Sequence, residues 1–375
     1  MAKDIIAMVL VGGRGERLGP ITKQTAKPAV HFGGKYRLID FVLSNLSKSP
    51  IDTVGIITQY EPHTLMNHIQ RGSSYDLDVD DGGIHFLTPY TDLDGAHFQE
   101  GTAHAIRQHV RFIDDYAPRH VLILAGDHVY ATDYKDLIAS HVETGADITI
   151  SGFHPEDDLR RYGILQVDDT ARVETFEEKP DTPAGRLASM GVYVFKTDVL
   201  KTLLAGRLSP GPDFGRHVIP AALKRGYHVH SFVFEGYFRD VGTPESLHAA
   251  NMDFIDLANL PDEGKKTVRL FTRSESMPPL LHKRGKVSHS LIADGVRIDG
   301  DVRHSVVSSG TVIEEGAKVA NTVVFPHARI GKDVRLDKAI VLEGLHVPAG
   351  AQFVFDDVTI VDETLLAQRG GGGNG

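Results

Sequence analysis

Between Lys286 and Val361, aliphatic residues, most of them β-branched, recur singly or in pairs at roughly every fifth or sixth position. The series runs Leu291-Ile292, Val296, Ile298, Val302, Val306-Val307, Val312-Ile313, Val323-Val324, Ile330, Val334, Ile340-Val341 and Val347, with short glycine and aspartate turns between. This cadence predicts a parallel β-helix of hexapeptide repeats over residues 286–362, in which each coil stacks its apolar corners on the next and cannot bury them alone. A small β-sandwich of short strands is the other arrangement the cadence permits.

The first 255 residues have a different texture. Apolar runs suited to buried strands alternate with longer mixed segments suited to helices, the pattern of a doubly wound, Rossmann-like α/β domain. Strands are predicted at Ile5–Val11, Thr53–Thr58, His120–Ala125, Asp147–Phe153, Met190–Phe195 and Val229–Phe234, and helices at Thr102–Asp114, Tyr134–Thr144 and Asp213–Arg225. Ligands bind such sheets at the carboxyl ends of the strands, which sets Gly12-Gly13 and Gly126-Asp127 on one rim. Residues 256–285, with Pro261-Asp262-Glu263-Gly264-Lys265-Lys266, read as a linker, and residues 363–375, which end in Gly370-Gly371-Gly372-Gly373-Asn374-Gly375, as a disordered tail.

At 375 residues, 41% hydrophobic and 24% charged, the chain has the composition of a globular protein with two or three domains. No apolar run is long enough to cross a bilayer, and Met1-Ala2-Lys3-Asp4 leads directly into a strand-like run, so a cytoplasmic location without membrane contact is expected. The absence of cysteine excludes disulfides, thiolate metal sites and cysteine nucleophiles. A formal net charge of −10 argues against a general nucleic-acid binder, which needs extended basic surface. An anionic substrate must therefore meet a locally basic pocket.

Such a pocket is written into Met8-Val9-Leu10-Val11-Gly12-Gly13-Arg14-Gly15-Glu16-Arg17-Leu18 and the following Lys27-Pro28. A strand ending in Gly-Gly-x-Gly frees successive backbone N–H groups to face phosphate oxygens, and Arg14, Arg17 and Lys27 add cations. The glycine spacing completes neither a P-loop nor a dinucleotide fingerprint, and an ordinary tight turn is the plain alternative. Asp127 follows the apolar run Val121–Ala125 and Gly126, where its carboxylate suits Mg²⁺ if a second acidic group joins it; Asp240 in Arg239-Asp240-Val241-Gly242 is the candidate. Glu178-Lys179-Pro180 is either a solvated charged turn or a place where Lys179 meets a sugar phosphate and Glu178 the sugar hydroxyls. His104 and His109 are five residues apart and do not align on one helix face, which disfavours zinc.

The ordered set of motifs resembles the ADP-glucose pyrophosphorylase family, also called glucose-1-phosphate adenylyltransferases, of bacterial glycogen synthesis. It includes Gly12-Gly13-Arg14-Gly15, Ala26-Lys27-Pro28-Ala29-Val30, Phe32-Gly33-Gly34-Lys35-Tyr36-Arg37, Gly126-Asp127-His128-Val129-Tyr130, Glu178-Lys179-Pro180, Asp213-Phe214-Gly215 and Arg239-Asp240-Val241-Gly242-Thr243. The resemblance implies a nucleotidyltransferase domain over residues 1–255 followed by a left-handed β-helix. It also implies ATP on Leu10, Gly12, Gly13 and Gly15, with Gln59, Gly101 and Thr102 near the base, and glucose 1-phosphate held by Gly163, Glu178, Lys179 and Ser189 with Asp213 nearby. Asp127 and Asp240 would hold Mg²⁺, Arg14 and Lys27 would neutralise the leaving pyrophosphate, and the assembly would be a homotetramer.

The chain departs from the family pattern at several points. His97-Phe98-Gln99-Glu100-Gly101-Thr102-Ala103-His104 places Gln99 where an aromatic is usual and His104 where aspartate is usual, which bears on nucleotide and sugar preference. Gln24 and Thr25 stand where many relatives carry a basic pair, so weakened or altered response to sugar-phosphate effectors is expected. A related enzyme using glucosamine 1-phosphate, UTP or dTTP, and a non-catalytic regulatory subunit, are the competing readings; an acyltransferase role for the short β-helix is not supported by any acyl-CoA motif.

Overall fold

The computed structural model describes residues 3–13, 15–89, 91–92, 95–96, 98–205, 209–257, 269–273, 277–282 and 284–370. The chain divides into two compact units that are not colinear with the sequence. One comprises residues 1–13, 41–126 and 130–238, and the other residues 14–40, 127–129 and the chain from 239 onward.

In the first unit, Ile5–Leu10, Thr53–Ile57, Gly83–Leu87 and His120–Ala125 form a parallel core, with Leu10 in register with Ile57 on one side and Ala125 on the other. Their unbroken apolar character follows from burial on both faces, as in Val121-Leu122-Ile123-Leu124. The sheet has nine strands among the described residues and is mixed, its parallel centre extended by antiparallel strands. Leu187–Lys196 runs antiparallel to His120–Ala125, Ile148–Phe153 and Gly163–Val167. Gly163–Val167 and Val173–Glu178 are also antiparallel, because the turn Asp168–Arg172 is too short for the crossover a parallel pair requires. Asp168 closes that turn, its Oδ1 accepting from the N–H groups of Thr170 and Arg172 at 2.8 and 3.0 Å.

Two predicted helices are interrupted. Thr102–Gln108 and Val110–Tyr116 are separate helices because His109, at φ −111° and ψ 21°, breaks the helical path. Within the expected Asp213–Arg225 helix, Phe214–Val218 is a π-turn that passes into the α-helix Ile219–Lys224. Pro220 lies in the first turn of that helix, where its missing N–H costs nothing.

In the second unit the parallel coils are as the cadence predicts. Ile298, Ile313, Ile330 and Val347 stack strand on strand in one sheet, and Val307, Val324 and Val341 stack in another. These side chains are fully buried in a continuous core with Val296, Val319, Val334 and Leu336. At the corners the chain turns through left-handed backbone at His289, His304, Asn321 and Lys338 (φ 45°, 45°, 44° and 53°). Asn321 offsets part of that strain by accepting from His304 Nδ1 and donating to Asp337 Oδ1, both at 2.8 Å. The C-terminal segment forms a helix over Glu363–Gly370 where disorder is expected from its sequence. Asp362 caps it by accepting from the Leu365 N–H at 2.9 Å, and Leu365 and Leu366 pack on the β-helix core. Residues 371–375 lie outside the described residues.

The same unit holds the segment His31–Arg37 against the helix Pro244–Leu257. Asn251 Oδ1 accepts from the Gly33 N–H at 2.9 Å, and Phe254 packs on Phe32 and Tyr36. Gly33 (φ 57°) lies so close that an added Cβ would meet the Phe254 ring at 2.7 Å.

Ile330 has a stacked neighbour in the coil on either side, so Ile330→Ala should cost about 2–5 kcal/mol. The midpoint of urea unfolding checks this; an unchanged midpoint would show that the coils are not one cooperative stack.

Candidate active site

The second unit contains a compact charged cluster. Asp127 and His128 open the short strand His128–Tyr130, which pairs with Phe238–Asp240 and so brings Asp127, His128 and Asp240 together. Lys27 opens a single 3₁₀ turn, Lys27–Ala29, with Pro28 in its first positions. Its Nζ lies 2.7 Å from Asp127 Oδ2 and 3.1 Å from Asp240 Oδ1. His128 Nε2 is 3.6 Å from Asp127 Oδ1 and 3.9 Å from Asp240 Oδ1. One ligand atom from each of Asp127, His128 and Asp240 falls within 4.8 Å of the others, the compactness a single metal ion requires.

Gly15 supports this cluster from the glycine-rich turn. At φ 64° it presses on the lysine stem, where an added Cβ would lie 3.0 Å from Lys27 Cβ and 3.2 Å from Thr22 Cγ2. Thr22 Oγ1 donates to the Gly15 carbonyl at 2.9 Å. Arg17 lies against Gly242, whose added Cβ would meet the guanidinium at 2.8 Å. Arg14 lies outside the described residues.

Burial alone would push the Lys27 ammonium down in pKa, but Asp127 and Asp240 outweigh it and hold it above the usual lysine value. Burial would likewise raise Asp127, and Asp240 adds to that; Lys27 and His128 prevail and hold it below the usual carboxylate range. Both groups are therefore charged at neutral pH.

The first unit carries two further clusters. At the carboxyl rim of the sheet, the Gly126 N–H donates to the Leu10 carbonyl at 3.0 Å. Gln59 locks the backbone of Gln99 from both sides, accepting from its N–H at 2.7 Å and donating to its carbonyl at 3.3 Å. The Gln99 side chain lies over Gly12, whose added Cβ would be 2.9 Å from its Oε1, whereas Gly13 faces open space.

The second cluster surrounds Glu178. Its carboxylate fills the space that a Cβ on Gly215 would occupy and, together with the nearer Phe176 ring, the space beside Gly163, where its contact would be 2.9 Å. Burial pushes the Glu178 carboxyl up, and Asp213 adds to the rise while Lys179 opposes it. Lys179 Nζ is 3.7 Å from Glu178 Oε1, on a backbone held at φ 51° by a bond from its N–H to the Tyr162 carbonyl at 3.0 Å. Ser189 is buried, and its Oγ accepts from the Gly191 N–H at 3.1 Å.

Thr102 bonds to Asp213: its Oγ1 donates to Asp213 Oδ2 at 3.1 Å and accepts from the Phe214 N–H at 3.0 Å. Gly101 abuts the Pro212 carbonyl, 2.5 Å from an added Cβ. Asp213 also caps the π-turn, its Oδ1 accepting from the Arg216 N–H at 2.9 Å. His104 is absorbed locally, its Nδ1 accepting from the Glu100 N–H at 3.1 Å. The residue that sequence reasoning missed is His128. Its position beside Asp127 was visible, but only the pairing with Phe238–Asp240 places its imidazole among both carboxylates.

Comparison with known proteins identifies the family. The nucleotidyl transferase family matches residues 6–256, and the family described as GlmU-like, C-terminal hexapeptide, matches residues 278–363. Glucose-1-phosphate adenylyltransferases of Bacillus mycoides and Bacillus anthracis are each 42% identical over 376 residues, covering 97% of this chain and 98% of theirs. That of Bacillus cytotoxicus is 42% identical over 372 residues, covering 97% and 99%. The chain belongs to the glucose-1-phosphate adenylyltransferase family. It is an enzyme of the nucleotidyltransferase class, and the hexapeptide match accords with its stacked parallel coils. No helix among the described residues is long and apolar enough to cross a membrane.

The charge state of the cluster fixes a pH window. Asp127, depressed on folding, contributes stability above the unfolded carboxylate pKa of about 4, lost as pH falls through its lower folded value. Lys27, raised on folding, contributes below the unfolded lysine pKa of about 10.4, lost as pH rises through its higher folded value. Lys27→Met should therefore lower the thermal midpoint at neutral pH, with a deficit that shrinks at both extremes. Calorimetry in the presence of a chelator tests this, and a deficit independent of pH would contradict the assignment.

Proposed function

We propose that this chain transfers the adenylyl group of ATP to glucose 1-phosphate, forming ADP-glucose and pyrophosphate. The observation that carries the reading is the Lys27–Asp127–Asp240 cluster, held intact in a chain that aligns end to end with glucose-1-phosphate adenylyltransferases. A phosphate oxygen of the sugar attacks the α-phosphorus in line, a new P–O bond forms, and the bond to the bridging oxygen breaks as pyrophosphate leaves. No covalent nucleophile is needed; catalysis is positioning and charge stabilisation.

The residues divide that work. Asp127 and Asp240 would hold a divalent cation, for which Mg²⁺ is the expected ion; when bound it neutralises phosphate oxygens. Lys27 and Arg14 offset charge on the departing pyrophosphate. Leu10, Gly12, Gly13 and Gly15 provide backbone for the triphosphate, and Gln59, by fixing Gln99, sets the surroundings of the base. Glu178 accepts from sugar hydroxyls, with Gly163 and Gly215 clearing space for it, while Lys179 meets the sugar phosphate and Ser189 with Asp213 completes that side. A homotetramer in the cytoplasm, feeding glycogen synthesis, is the setting the resemblance implies. The presence of Arg14, Lys27, Asp127, Lys179 and Asp240 supports catalysis over a purely regulatory role.

The direct test is pyrophosphate release with ATP, UTP and dTTP crossed against glucose 1-phosphate and glucosamine 1-phosphate. Turnover confined to ATP with glucose 1-phosphate is expected; preference for another pair would make Gln99 and His104 specificity determinants and overturn the assignment. Asp127→Asn should reduce kcat by about 10²-fold or more with the fold intact by circular dichroism. Lys179→Ala should raise KM for glucose 1-phosphate by about tenfold or more while leaving KM for ATP nearly unchanged. An effect on ATP alone would remove Lys179 from the sugar-phosphate side.

A further inference from the structure

The cluster that the proposed function assigns to a metal already contains a cation. Lys27 Nζ lies between Asp127 Oδ2 and Asp240 Oδ1, at 2.7 and 3.1 Å, with its side chain almost wholly buried. Mg²⁺ binds carboxylate oxygens at roughly 2.0–2.1 Å, so an ion held by both aspartates must sit in the space between them. Two positive charges on the same pair of carboxylates repel in a partly desolvated site, so ammonium and ion compete for it. The imidazole of His128 faces the same oxygen of Asp240 and the other oxygen of Asp127, with Nε2 3.9 Å from Asp240 Oδ1 and 3.6 Å from Asp127 Oδ1.

We propose that the centre is a cation-exchange site: Lys27 is its resting counter-ion, and a divalent metal enters by displacing that ammonium, with His128 Nε2 as a nitrogen ligand beside Asp127 and Asp240. This rests on the reading of the two aspartates as metal ligands. The exchange has two consequences. The displaced ammonium is released from its carboxylate partners as the metal arrives, which makes it available to an anionic substrate only in the metal-loaded enzyme. The imidazole also shifts preference toward softer ions such as Mn²⁺ over Mg²⁺, since nitrogen ligands favour the later first-row metals.

Manganese binding to the whole chain, without nucleotide or sugar, tests both parts. Free Mn²⁺ is read by its electron paramagnetic resonance signal, and Mg²⁺ affinity by competition. Lys27→Met and Lys27→Gln should tighten Mn²⁺ binding by about tenfold or more, because a competing charge is gone, while Lys27→Arg should not. Unchanged or weaker binding in folded Lys27→Met or Lys27→Gln protein would overturn the exchange. His128→Gln should weaken Mn²⁺ by about tenfold or more and Mg²⁺ much less; equal effects would overturn the ligand assignment. Electron spin echo spectra of the Mn²⁺-loaded wild type should show nitrogen modulation from one imidazole, lost in His128→Gln, and its absence in the wild type would also remove His128. Asp127→Asn with undiminished Mn²⁺ affinity would overturn the underlying metal-centre reading itself, whatever Lys27 does.

Discussion

A lysine ammonium between two carboxylates, contributed by residues 27, 127 and 240, ties together three stretches of chain that are remote in sequence. Each charge is costly to bury alone, and together they offset that cost only if all three stay in place. The surrounding architecture serves this requirement. Pro28 fixes the turn that begins at Lys27, Gly15 yields room for its stem, and the pairing of His128–Tyr130 with Phe238–Asp240 sets the aspartates side by side. The segment that follows Lys27 is anchored in turn by Asn251 and Phe254 on the helix Pro244–Leu257.

Glycine has a different purpose around Glu178. Gly163 and Gly215 come from elements far apart in the chain, yet both leave space for one carboxylate. A side chain at either place would displace Glu178 or the backbone, so the position of a candidate substrate contact depends on what two other residues lack. Burial then raises the pKa of that carboxyl, with Asp213 adding to the effect, so its charge depends on the cation at Lys179 and on what binds beside it. Thr102, which the family resemblance places near the base, bonds to Asp213 and Phe214 and so ties its segment to the wall of this cluster.

The β-helix follows a simpler rule. Its stacked Ile298, Ile313, Ile330 and Val347 are buried only because each coil has a neighbour, so its stability is distributed along the stack. The helix Glu363–Gly370 lies in a segment whose composition suggests disorder, but Leu365 and Leu366 find apolar surface on that stack. Tertiary contact overrides a weak local signal there; at His109 a helix expected to be continuous is broken by the backbone of that one residue.

The sequence by itself determined what depends on local pattern: the apolar runs of the buried parallel strands, the coil cadence of the repeat region, and the order of motifs that points to one enzyme family. It also named Lys27, Asp127, Asp240, Glu178 and Lys179, because their residue types suit phosphate and sugar chemistry. Only the tertiary structure decided which of them meet. The antiparallel run of Leu187–Lys196, the pairing of Thr102 with Asp213, the cover of Gln99 over Gly12, and the entry of His128 among the carboxylates arise from contacts between distant segments. Periodicity reports which face of an element is buried, but the strength of a charge or hydrogen bond depends on distances of a few ångströms, and those are fixed only when the whole chain packs.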